Sequence, residues 1–68
     1  MNEKDRAYIT GAALDYANEN YVSELDPSAW RKFPAWYLAE CEAEPDPKYW
    51  PPLTYATFER YQAWKEGR

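Results

Sequence analysis

Cys41 is the chain's single thiol, and it stands between Glu40 and Glu42. A reactive cysteine needs a cation, a histidine or a helix N-terminus to favour the thiolate. Two flanking anions do the opposite and push the thiol pKa up. The chain has no histidine, so the commonest proton shuttle is missing. Ser23 and Ser28 lie in no nucleophile-elbow context. The two glycines, Gly11 and Gly67, are too far apart to build a phosphate-cradling loop. A lone cysteine without histidine makes no zinc site and no internal disulfide. The residues therefore point away from catalysis and away from any cofactor or metal. Cys41 reads as a small buried hydrophobe.

Binding is the chemistry that remains, and two sets of residues offer it. The first is acidic. Asp15, Glu19, Glu24 and Asp26 follow one another with no Lys or Arg between them, and so do Glu40, Glu42, Glu44 and Asp46. On a helix Asp15 and Glu19 share a face, about 6 Å apart along the axis, and Asp26 projects the same way at the helix end. The second row falls where a helix over 34–43 ends. A helix C-terminus disfavours each anion by a few tenths to about 1 kcal/mol. Anions set against the local field point to a basic partner; a plain solvated face is the alternative. Carboxylates at this spacing suit an Arg/Lys patch, including one that otherwise holds nucleic acid.

The second set is aromatic. Four Trp, seven Tyr and two Phe stand against few large aliphatics, namely Ile9, Leu14, Val22, Leu25, Leu38 and Leu53 besides Met1. Each ring buries about 150–250 Å², and one small interior cannot hold them all. Several are expected at the surface, where clustered rings mark contact sites. Tyr49 and Trp50 beside Asp46 are candidates, as is Trp36 beside Tyr37. For Trp50 two readings stay open, a binding hot spot or a lid folded back over the core.

Helices and one strap must position these groups. The strap is Glu44–Pro52, with four of the six prolines, too dense for a helix or a central strand. Asn2 is an N-cap for a long helix over 3–24. Ala7, Gly11, Leu14, Ala17 or Asn18, Tyr21 and Leu25 recur along one side of it, and Ile9, Ala13 and Tyr16 lie nearly opposite. A helix apolar on two sides touches two things, so Gly11, Ile9, Ala13 and Tyr16 are candidates for a subunit seam and leave a homodimer open. Asp26-Pro27 starts a short helical turn over 27–32. At Pro34 either a new helix begins or one helix over 27–43 kinks; the break is the preferred reading, with residue 33 pushed toward extended geometry. Thr54 caps a last helix over 55–66, ended by Gly67. Tyr55, Phe58, Tyr61 and Trp64 form a drifting stripe along it. The expectation is one all-α domain over 1–68, with three main helices and a short turn around an alanine and aromatic core.

The charge narrows the partners. A net charge of −4 and a pI near 4.6 argue against direct nucleic-acid binding and against an anionic membrane surface. No apolar run approaches spanning length, and Met1–Arg6 lacks the shape of a signal peptide. A cytoplasmic location is expected, with the thiol reduced.

Short, acidic, cofactor-free and built of binding surface, the chain resembles in general character small phage-encoded proteins that block host machinery, anti-CRISPR proteins among them. That resemblance implies a non-enzymatic inhibitor of a larger host protein. Asp15, Glu19, Asp26, Glu40, Glu42, Glu44, Asp46, Tyr49, Trp50 and Trp36 are the residues expected, from their own chemistry, to meet a basic surface. Pro51-Pro52-Leu53-Thr54 leading into a helix is also similar to stretches of small phage tail-assembly proteins, which implies an alternative: a structural or assembly factor, or a small self-associating subunit.

Overall fold

Asn2 opens the first helix, its side chain accepting the Asp5 backbone N–H at 2.8 Å. In the computed structural model, which describes residues 1–67, four α-helices follow in order: α1 (Glu3–Asn20), α2 (Pro27–Trp30), α3 (Phe33–Ala43) and α4 (Tyr55–Lys65). A single 3-10 turn, Pro47–Tyr49, lies in the strap, and no strand occurs among the described residues. The architecture is the expected small all-α domain.

α1 ends at Asn20, short of the expected residue 24, because Tyr21 turns inward. The Tyr21 N–H still closes on the Ala17 carbonyl at 2.8 Å. Its ring stacks on Phe58 with centroids 3.9 Å apart, and its hydroxyl pairs with that of Tyr16 at 2.8 Å. Residues 22–25 continue as turns on the surface.

Asp26 caps α2 as expected, accepting the Ser28 N–H at 3.0 Å. The break before the third helix is also present, but it falls at Arg31–Lys32, ahead of the proline. Phe33 is the first residue of α3 and is not extended. Proline in the first turn of a helix forfeits no hydrogen bond, and burying the Phe33 ring outweighs the preference of the residue before it. α4 closes with Gly67 at φ 83°, a left-handed position that favours glycine. Thr54 has extended backbone, yet its side chain makes no cap bond.

The core has three contributors. α1 and its closing turn give Ile9, Ala13, Ala17 and Tyr21; α3 gives Phe33, Trp36, Tyr37 and Cys41; α4 gives Phe58 and Tyr61. α1 packs chiefly against α3. Arg6 meets Glu42 at one end and Tyr16 meets Phe33 at the other, so the two helices run antiparallel. Ala13 and Ala17, wholly buried, keep the helices close. Phe33 sits at the centre, its ring centroid 5.4 Å from those of Phe58 and Tyr61, both edge-on, and 6.0 Å from those of Trp36 and Tyr37.

One sequence expectation is corrected by this packing. Ile9 and Ala13, read as parts of a subunit seam, are 4% and 0% exposed within the chain's own core. Tyr16 packs against that core and bonds to Tyr21. They have little surface to offer a second subunit. The two sides of α1 are similarly apolar, so spacing alone did not choose which faced inward. The core takes Ile9, Ala13 and Tyr16 from one side and Ala17 and Tyr21 from the other. Gly11 lies on the flank of α1, where a Cβ would meet nothing within 4 Å. Gly11→Ala should therefore stabilise the fold by about 1 kcal/mol through helix propensity alone, read as a higher urea midpoint at unchanged slope.

Candidate functional site

The acids of the second row hold positions that sequence spacing did not reveal. Glu40 Oε1 accepts from Arg60 Nη2 of α4 at 2.7 Å. Glu42 Oε2 lies 3.2 Å from Arg6 Nε of α1. Glu44 Oε1 accepts the Asp46 N–H at 3.2 Å, and Asp46 Oδ1 accepts the Lys48 N–H at 3.0 Å. No Lys or Arg lies within the row itself, yet Arg6 and Arg60 reach it from distant parts of the chain. Both pairs are substantially exposed, a setting in which an ion pair contributes about 0–1 kcal/mol. Their carboxylates stay at the surface.

The first row does not join the second. Asp15 and Glu19 are exposed on α1 and make no ion pair among the described residues. Asp15 lies nine residues beyond Arg6, about 14 Å along the helix, and antiparallel packing carries it away from Glu42. Asp26 is committed to its cap, and the Ser28 N–H holds its carboxyl below the usual range. Lys65 Nζ donates to the Ser28 carbonyl at 3.0 Å, tying α4 to the same turn.

The aromatic candidates divide three ways. Trp36 is 8% exposed and belongs to the core, with the Arg60 guanidinium 5.8 Å from its ring; as a freely exposed contact residue it is corrected. Trp50 is half-buried against the core and donates Nε1 to the Glu44 carbonyl at 3.2 Å. That geometry is the lid of the two readings. Tyr49 is 65% exposed, with Lys48 Nζ 5.2 Å from its ring centre. Three further exposed rings, Tyr8, Tyr55 and Trp64, were not singled out. For Tyr55 and Trp64 the signal was present. A three-residue step falls about 60° short of a full turn, so only the middle pair of that stripe, Phe58 and Tyr61, faces the core.

The strap and the start of α1 enclose a cleft of about 360 Å³. The acidic residues Asp5, Glu42 and Glu44 line it together with Met1, Trp50, Pro45 and Pro47, and Cys41 lies at its base. The strap's place is set from within: Tyr37, buried on α3, donates its hydroxyl to the Pro51 carbonyl at 2.6 Å. Asp46 caps the 3-10 turn, and Leu53 packs on the core just beyond.

The thiol at the base of this cleft is not activated as a nucleophile. Burial pushes the Cys41 thiol up and Glu40 adds to that, with the Tyr37 hydroxyl opposing in part. Among the described residues no three of Asp, Glu and Cys converge in a way that could hold a metal ion. No helix is long and apolar enough to cross a membrane.

Comparison with protein-family models, curated proteins and solved structures gave no match. The geometry carries the functional reading alone.

Two expected outcomes follow from the buried hydroxyl and thiol. Burial, with Cys41 adding, raises the Tyr37 hydroxyl from 10.0 to about 12. Burial raises Tyr21 and Tyr61 as well. An acid raised in the folded state stabilises the fold fully below its unfolded pKa, and that contribution is lost as pH climbs through the folded value. Resistance to urea should thus decline between pH 10.0 and about 12. Tyr37→Phe should make the decline shallower and, at neutral pH, lower stability by about 1 kcal/mol through the lost bond to Pro51. Separately, Cys41 should react with a neutral thiol reagent only through the fraction of molecules that is open, so added urea accelerates the reaction in step with the unfolded fraction.

Proposed function

We propose that this chain is a binding protein and not an enzyme: a small inhibitory or regulatory module that seats a basic side chain of a larger protein in the acidic cleft walled by Trp50. The partner surface is cationic, as on proteins that handle nucleic acid. The module works in the cytoplasm, in the manner of phage-encoded anti-CRISPR and host-takeover proteins. One observation carries the reading. Asp5, Glu42 and Glu44 line a cleft whose remaining wall is Met1, Cys41, an indole and two prolines. A guanidinium or ammonium there meets carboxylates and an aromatic ring together, and the prolines and cap bonds of the strap limit the entropy lost on binding. The exposed Tyr49, beside the cleft, enlarges the contact. Asp15 and Glu19, remote along α1, are outside this reading.

A second reading, a small self-associating subunit of an assembly, is favoured by a different observation: Trp64 is 53% exposed beside an open groove on α3.

An arginine-rich peptide followed by NMR tests the first reading. The Trp50 indole resonance should shift on titration, and affinity should fall with added salt. Glu42→Gln with Glu44→Gln should weaken binding about tenfold, an effect of roughly 1.4 kcal/mol, while Asp15→Asn with Glu19→Asn leaves it unchanged. The fold should survive the first pair, because Glu42 makes only a surface ion pair and Trp50 bonds to the Glu44 backbone, not its side chain. Equal losses from both pairs of variants, or a silent Trp50, would sink the idea.

A further inference from the structure

On the other flank of α3 from the cleft, α3 and α4 border an open groove of about 330 Å³. Its surface is apolar. Ala35, Trp36 and Ala39 come from α3 and Trp64 from α4. Ala35 and Ala39 are exposed and Trp64 is 53% exposed. A tryptophan left open beside small apolar residues has the composition of an interface core. The charges at the groove are ordered. Lys32 borders it at the start of α3 and Glu40 two turns on, about 12 Å along the axis. Lys32 makes no ion pair among the described residues. Glu40 engages Arg60 through Oε1, and its other oxygen remains for a second donor.

We propose that a second copy of this chain closes the groove, with the two α3 helices antiparallel across a twofold axis. The charge pattern selects this occupant. A twofold contact is self-complementary, so a residue that meets another across it is met in return. Antiparallel α3 helices bring Lys32 of each copy to Glu40 of the other, and both charges are satisfied at once. Any other helix would need its own cation and anion at the same separation; this chain carries them. Ala35 and Ala39 at the seam let the axes approach toward the near end of the usual range, about 8 Å. Trp64 of each copy then covers the alanines of the other. A chain of 68 residues has a small interior, and association is one of the usual ways such chains gain stability. The inference rests on this groove alone. The acidic cleft lies on the α1 side of α3 and stays open in such a dimer, so failure here leaves the reading of the cleft untouched.

Sedimentation velocity on the full chain tests the proposal, with circular dichroism confirming that each variant is folded. The chain should be a dimer that dissociates on dilution. Ala39→Glu, an exposed site, should yield a folded monomer. Lys32→Glu and Glu40→Lys should each raise the dimer dissociation constant about tenfold or more, since each homodimer juxtaposes like charges. Mixed together, those two variants should form a heterodimer, because Glu at 32 then faces Lys at 40 and the native pair forms on the other side of the axis. A chain that stays monomeric into the millimolar range overturns the proposal. So does a dimer indifferent to Ala39→Glu, or a mixture of the charge variants that associates no better than either alone.

Discussion

The burial of one ring, Phe33, is the constraint on which the rest of the structure depends. It is wholly buried and touches rings from α1, α3 and α4 at once. Removing such a side chain costs about 3–5 kcal/mol, of the same order as the whole net stability expected for a chain this size. The edge-on contacts with Phe58 and Tyr61 suit the ring quadrupoles and add to area burial. Because Phe33 immediately precedes Pro34, the break between α2 and α3 and the centre of the core are one decision. The chain must turn at Arg31–Lys32 so that the ring points inward.

That interior decides where the candidate binding groups lie. Tyr37 and Cys41 follow Phe33 on the same face of α3 by helical spacing, and both end at the root of the strap. Arg6 and Arg60 come to the α3 acids only because α1 and α4 flank that helix. The carboxylates are neither stranded nor extinguished: each is held in one direction by a surface contact and still meets water. An anion held this way loses less freedom on meeting a cation than a free side chain does.

Much of the fold was legible in the sequence, and what was missed has a common cause. Asn2, Asp26-Pro27, Gly67 and the proline strap are local signals, settled by a few neighbouring atoms, and they read correctly. The faces of α1 did not, because Ala7, Gly11 and Leu14 match Ile9, Ala13 and Tyr16 in polarity, and only tertiary packing separates them. The expected extended geometry at Phe33 failed for the same reason: a local preference yielded to a buried ring. For the candidate site, the sequence marked Glu42, Glu44 and Trp50 as binding residues but could not see Asp5 come to the same cleft across the helix pair. It also grouped Asp15 and Glu19 with them, which antiparallel packing separates. Trp36 was misread because, among so many rings, composition says that some must be outside and not which.

The bond from Tyr37 to the Pro51 carbonyl has a consequence for how the molecule ages and fails. A strap fastened from inside the protein, by a phenol rooted in the hydrophobic interior, behaves like a hasp whose pin is set in the wall. Damage to the interior, such as an oxidised indole, a truncated ring or an overfilled gap, reaches the outside by letting go of that fastening. The strap then comes free before the helices themselves unwind, and the cleft it walls changes shape while the chain still looks folded.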